Sequence, residues 1–326
     1  MQPTCPKRMV YGPCGGVRPD GRCEMAAFPC VFDRLNEVTP PGPAEPRPAV
    51  PAPLGLTDLS VPPADAAMLT ATAKILVASS DALLVGDHQD RIDFPPSTLA
   101  RLITDAGARP WVTLACRDRN RISLEQELHA LRHDGLATVL CVTGDGRAYD
   151  VRPDVTQAFD LDGTRLAALA AGVGVGVAVA ETPTARPTAL RPARLVHKQR
   201  AGAQVAVLNH VPTAVDVDAF VTTARGLGLT IPVIAAVAVF TDAPSAAVLT
   251  ALPGLEIDPV AVAEVVEAAD PVQAGIEHAV REARQLLAVP GVAGVNLSGM
   301  ASARGVRVAA EIQAEIGRRV RTEQQR

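Results

Sequence analysis

Short apolar runs alternate with longer amphipathic stretches along most of this chain. The runs are "LGLTDLSV" (54–61), "ALLVGD" (82–87), "PWVTLAC" (110–116), "ATVLCVTGD" (137–145), "GVGVAVAE" (174–181), "QVAVLNHV" (204–211), "IPVIAAVAVF" (231–240) and "GVAGVNLSG" (291–299). Most are continuously apolar, as strands buried on both faces are. Between them, stretches such as "SLEQELHALRHDG" (123–135) and "VDAFVTTARGLG" (217–228) carry apolar residues at helical spacing. Eight such units in 326 residues predict an α/β fold of the (β/α)8 TIM-barrel type, with an open doubly wound sheet as the competing arrangement. The interval between the seventh and eighth runs is expected to hold two helices. The longest apolar stretch, "LAALAAGVGVGVAVA" (166–180), is shorter than the roughly 20 residues of a spanning helix and reads as helix end, turn and buried strand.

The pattern changes before residue 54. "TPPGPAEPRPAVPAP" (39–53) is stiff, extended and unfit for a helix, so a boundary is expected there. It divides the chain into a small module (1–38), a linker (39–53) and a barrel (54–326). The module holds four of the six cysteines, Cys5, Cys14, Cys23 and Cys30, separated by eight, eight and six residues. The N-terminus has no apolar leader-like run, so a cytoplasmic location is expected. There, clustered cysteines serve as metal ligands or redox groups more often than as disulfides. Four thiolates suit either a structural Zn²⁺ or a [4Fe–4S] cluster, and the absence of a CxxC pair leaves the metal open. A floppy tail of free thiols is the alternative. Cys116 and Cys141 lie within apolar runs and read as buried small residues.

A formal charge of −4 with no long Lys/Arg run argues against nucleic-acid and membrane-surface partners. Aromatic residues make up only 3 % of the chain, so few are available to stack a flat cofactor. If the chain is a barrel, function belongs at the C-terminal ends of its strands. Reading those ends gives Asp58, Asp87-His88, the run Cys116 to Asn120 with Asp118, Thr143-Gly144-Asp145, Glu181, Asn209-His210, Thr241 and Ser298. "CRDRNR" offers arginines for forked recognition of carboxylate or phosphate, or else a solvated helix cap. In "VTGDG", Gly144 permits close approach of a ligand and Asp145 offers a free acceptor, although a tight turn reads the same way. His88 and His210 are acid–base candidates, or hydrogen-bonded structural residues.

Several stretches resemble the methylenetetrahydrofolate reductase family. "CPKRMVYGPCGG…DGRCEM…C" is similar to the cysteine-rich segment paired with or fused to the catalytic subunit in acetogens. "WVTLACRDRNRISLEQEL", "VLCVTGDG", "HKQRAGAQVAVLNH" and "PGVAGVNLSGM" are similar to its barrel. The resemblance implies FMN or FAD at the strand ends and hydride transfer from a nicotinamide through flavin to 5,10-methylenetetrahydrofolate. It also implies an electron donor or partner subunit, and a homo-oligomer is compatible with it. By position, Asp145 matches the family's Gly-Asp aspartate near flavin and folate, Lys198 a lysine on the flavin phosphate, and Thr113 a position near the flavin. Two departures stand out. Leu59 falls where the family's catalytic glutamate is expected, with Asp58 beside it on the opposite strand face. Asn209 falls where a glutamine helps to hold the pterin, without the family's aromatic residues. Three functions follow: a diverged reductase in which Asp58 or His210 replaces the missing acid, a flavin-free tetrahydrofolate-dependent methyl transferase, or a non-catalytic metal-bearing binding or electron-transfer subunit.

Overall fold

A computed structural model describes residues 4–135, 138–147, 151–251 and 256–324. The first three positions of the expected module, the expected start of the fourth run at 137 and the last two positions of the barrel lie outside these. Strands and helices alternate as β1 (Gly55–Asp58), α1 (Ala66–Leu76), β2 (Ala82–Val85), α2 (Pro96–Asp105), β3 (Pro110–Ala115), α3 (Arg121–Asp134), β4 (Thr138–Val142) and α4 (Gly163–Val173). They continue as β5 (Gly176–Glu181), α5 (Arg191–Arg200), β6 (Val205–Leu208), α6 (Ala214–Gly226) and β7 (Val233–Phe240). After α7 (Ala243–Thr250), α8 (Pro259–Val266) and α9 (Pro271–Leu287) come β8 (Val292–Ala301) and α10 (Val306–Gln324). All eight strands are parallel, and β1 pairs with both β2 and β8, which closes the barrel and excludes the doubly wound sheet.

Strand parity decides what each residue can reach. Leu56, Leu84, Trp111, Leu140, Ala178, Val207 and Ile234 fill the barrel interior. Their neighbours, among them Leu83, Val112, Val139 and Val177, pack outward against the helices. Helix starts follow local chemistry. Asn120 caps α3 through a 2.9 Å bond from the Ser123 N–H, and Asp162 caps α4 from Thr164 and Arg165. The β7–β8 interval holds three helices among the described residues, rather than two. Each begins with a capping aspartate (Asp242, Asp258 or Asp270) followed by proline in the first turn, whose fixed φ suits a helix start.

The Pro-rich stretch has no regular structure and is pressed against the barrel base. Ala44 N–H donates to Arg200 O at 2.7 Å and Arg47 to Val175 O at 2.6 Å, while Gln204 bonds the Pro48 carbonyl. Val50 and Ala52 then pack on the interior cluster. Gly294 is required where the chain passes, because a Cβ there would overlap the Pro53 carbonyl. No helix among the described residues is long and apolar enough to cross a membrane.

Candidate functional site

The N-terminal segment lies across the C-terminal mouth of the barrel and roofs it. Lys7, only 2 % exposed, donates to Gly144 O at 2.7 Å and is ion-paired with Glu24. Glu24 in turn accepts from the Gly146 N–H at 3.1 Å. Val10 N–H bonds Asp162 at 2.9 Å, and Arg8 pairs with Asp160 at 2.9 Å. Gly144 has φ +87°, and a Cβ there would sit 3.1 Å from that of Arg117 and 3.3 Å from that of Ala115, so this turn needs glycine.

The far wall is a buried charge cluster between β5 and α5. Glu181 points outward from the barrel and meets Arg191 at 3.3 Å, Arg194 at 2.8 Å and Lys198 at 2.8 Å. Burial alone would raise its pKa, but Lys198, Arg194 and Arg191 together hold it far below the usual carboxylate range. Burial, followed by the repulsion of Arg194, brings Lys198 down to about 7. Arg191 continues into the roof, donating to Cys14 O at 2.8 Å and Pro13 O at 3.3 Å.

Between roof and mouth is a cavity of about 300 Å³. Lys7, Cys14 and Gly15 line it from above, and Thr113, Gly144, Asp145, Lys198 and Asn209 from the barrel. Those five barrel residues, all expected from sequence, are thus brought together. Asp145 stands at the exposed rim, yet loss of water around its carboxyl raises its pKa, with Lys7 drawing it back and Glu24 adding to the rise. Asn209 donates to Thr182 Oγ1 at 2.8 Å.

Other expected residues stand elsewhere. Asp118 is tied to Arg117 at 2.8 Å and doubly to Arg147 at 2.8 and 2.9 Å, in a neighbouring crevice. Asp58 does face the interior, opposite in direction to Leu59, which is buried under the helices. Asp58 accepts from Asn296 at 2.9 Å and burial raises its pKa, but it does not line the roofed cavity. His210 is not brought to the mouth. It follows the inward-facing Asn209, so parity turns it outward into a separate cavity beyond β6. Sequence reading missed Lys7, Glu24 and Arg194 as members of the mouth. The spacing Arg191, Arg194, Lys198 on one helix face was the available signal for the wall.

These residues do not fit a flavin stacked on a pterin. Lys198, the implied phosphate ligand, is committed to Glu181 and to the Ala180 carbonyl. Among the described residues, no aromatic side chain lines the cavity. Its volume is at the bottom of the about 300–1,000 Å³ usual for ligand pockets.

The four N-terminal cysteines are free thiols that line one small void with Met9, Val17, Phe28 and Phe32. Burial raises Cys5 and Cys30 and pushes Cys14 up to about 12. Backbone N–H groups of Met9 and Lys7 face Cys5, Gly16 faces Cys14, and Phe32 faces Cys30, the kind of donors that stabilise metal-bound thiolate. Among the described residues, however, no three ligating side chains are gathered closely enough to hold an ion.

The architecture is that of a (β/α)8 protein with a cavity at the strand C-termini. Residues 86–312 match the family model described as methylenetetrahydrofolate reductase, and residues 1–40 match methylene-tetrahydrofolate reductase C terminal, so the chain belongs to the methylenetetrahydrofolate reductase family. No curated protein matches it. A similar solved structure is an uncharacterized protein from Clostridium thermocellum that binds two copies of 5-methyl-5,6,7,8-tetrahydrofolic acid. It is 12 % identical with TM-score 0.55, over 81 % of this chain and 93 % of that one. Tryptophan synthase from M. tuberculosis is 14 % identical with TM-score 0.44, over 82 % and 91 %.

Proposed function

We propose that the roofed mouth binds a reduced folate and that the chain is a diverged oxidoreductase of one-carbon metabolism. The reaction adds a hydride and a proton to 5,10-methylenetetrahydrofolate to give 5-methyltetrahydrofolate. The observation that carries this reading is the placement of Asp145, whose carboxyl lines the mouth cavity with Gly144, Asn209 and the roof residue Lys7. Desolvation moves its pKa upward, the direction a proton donor needs, and its place lets it deliver a proton to the folate nitrogen as the five-membered ring opens. Asn209 keeps one amide hydrogen beyond its bond to Thr182 for the carbonyl edge of a pterin. Family membership and the folate bound by the Clostridium thermocellum protein support the ligand class. The hydride comes from a reduced nicotinamide or from a partner subunit, and the roof has to lift to admit it, because a cavity of about 300 Å³ holds no second ring system, flavin or nicotinamide, beside a pterin. The same lack of room favours, as second reading, flavin-free methyl transfer to or from tetrahydrofolate.

In this reading the cysteine segment binds Zn²⁺ or a [4Fe–4S] cluster only by drawing together thiols that share one void but stand too far apart here to hold an ion. The four sulfur donors and the backbone N–H groups turned toward them support that role. Cys14→Ser is expected to lose the metal and loosen the segment, as checked by metal analysis of protein purified without air. Unchanged metal content sinks the single-site arrangement.

The reading is tested on the same anaerobic protein, with flavin quantified by absorption and folate binding followed by calorimetry. Turnover of methylenetetrahydrofolate with reduced nicotinamide and no added flavin supports the reductase. Folate binding without turnover, even with FMN added, favours methyl transfer. Absence of folate binding overturns both.

A further inference from the structure

A second and larger cavity, of about 680 Å³, lies outside the barrel between the end of β6, the middle of β7, and helices α8 and α9. Its deepest polar group is His210, 3 % exposed, with neither ring nitrogen bonded to any described residue. A buried imidazole with two unmet hydrogen-bonding positions is costly unless something else meets them. Beside it, β7 departs from regular register between Ala238 and Phe240. The Ala238 N–H lies past the end of β6, which pairs with β7 only as far as Ala235, and it bonds Glu282 Oε2 at 3.1 Å, which holds the carboxyl against the cavity.

The remaining charges are lopsided. Glu256, Asp258 and Glu264 line the opening and Glu282 the interior, against one cation among the described residues, Arg281. Arg281 is turned toward His278 Nδ1 at 3.2 Å, and His278 Nε2 stands 4.0 Å from Glu282. Between these groups lie apolar residues, including Val211, Val215, Ile257 and Leu286. Acidic groups around a concave, partly apolar space focus a negative potential into it. His210 supplies an acceptor to an N–H, and Glu282 the counter-charge.

From this arrangement we infer that the outer cavity is a second binding site, separate from the mouth, for a small primary or secondary ammonium ion with an apolar body. An anion is opposed by the acidic side chains Glu256, Asp258 and Glu264 around the opening. A quaternary ammonium would leave the His210 acceptor unmet. This inference does not depend on the folate reading.

Burial raises Glu282 to about 8, so a cation bound there favours loss of its proton. The other acidic or basic groups around the cavity are Glu256, Asp258, Glu264, Arg281, His278 and His210, and burial lowers both histidines, His210 to about 4. Binding is therefore expected to strengthen between pH 7 and pH 9.

The test is calorimetric titration of the full chain with cyclohexylamine and with its neutral analogue cyclohexanol. The amine is expected to bind at least tenfold more tightly, to gain about tenfold between pH 7 and 9, and to bind equally well when 5-methyltetrahydrofolate is present. Glu282→Gln should remove most of the preference. The rim variant Asp258→Asn should weaken amine binding about threefold, which keeps the test standing if the interior variant fails to fold. Equal binding of amine and alcohol, a flat pH profile, or displacement of the amine by folate overturns the proposal.

Discussion

Two buried glutamates show how differently this barrel treats charge on its two sides. Glu181, behind the mouth, is surrounded by Arg191, Arg194 and Lys198 and remains ionised well into acid. Glu282, beside the outer cavity, has one backbone amide at 3.1 Å and a histidine at 4.0 Å, and its pKa climbs to about 8. The first is structural electrostatics, because one of its cations, Arg191, also holds the carbonyls of Pro13 and Cys14 and so secures the roof. The second is a charge left without its partner. A buried carboxyl is therefore informative only together with what neutralises it.

The largest effect expected from this contrast is at Glu181. Glu181→Gln leaves three buried cations without their counter-ion and should cost about 3–5 kcal/mol, measured by denaturant unfolding. Faster reaction of Cys14 with a thiol reagent should accompany it, and an unchanged rate would mean that the roof is held independently. Next is Asp145→Asn, which should lower turnover by about 10²–10⁴-fold while folate affinity stays within tenfold. Unaltered turnover removes Asp145 from the chemistry. The two glutamates should then part company in a pH titration of stability. Glu282 is raised above its unfolded value, so the folded state holds a proton that the unfolded state gives up. Native stability should therefore fall relative to Glu282→Gln as pH rises from about 4.5 to about 8, by up to about 1.4 kcal/mol per pH unit. Glu181 is depressed, so its contribution is present above about pH 4.5 and is lost below it. Coincident curves for native protein and Glu282→Gln would show the outer carboxyl to be well solvated. Smallest is Arg8→Ala, which removes an exposed pair with Asp160 and should cost under about 1 kcal/mol.

The barrel was legible because its strands are apolar on both faces and its helices carry local start signals. Every expected run contains a strand, and the αL Gly174 lies where "GVGVGV" suggested a turn. The error between β7 and β8 was a failure to read Asp-Pro at 258–259 and 270–271 as two separate helix starts. The roof was illegible for a different reason. Lys7 meets Gly144, and Arg191 meets Pro13, across more than a hundred positions of chain, and no local pattern encodes such contacts. His210 lies between these cases. The alternation through Val205, Val207 and Asn209 turns it away from the mouth, but reading "strand end" without parity hid that.

The route of the linker has a mechanical consequence. Residues 41–52 are fastened at the base, through Arg200, Val175 and the interior cluster, while the segment before them caps the opposite end. The chain thus clasps the barrel from top to bottom like a strap with both ends fixed. If the cap is lifted while the base stays fastened, it remains leashed within a few nanometres of its seat. Re-closure is then a unimolecular event at high effective concentration, and its rate is independent of how much protein is present.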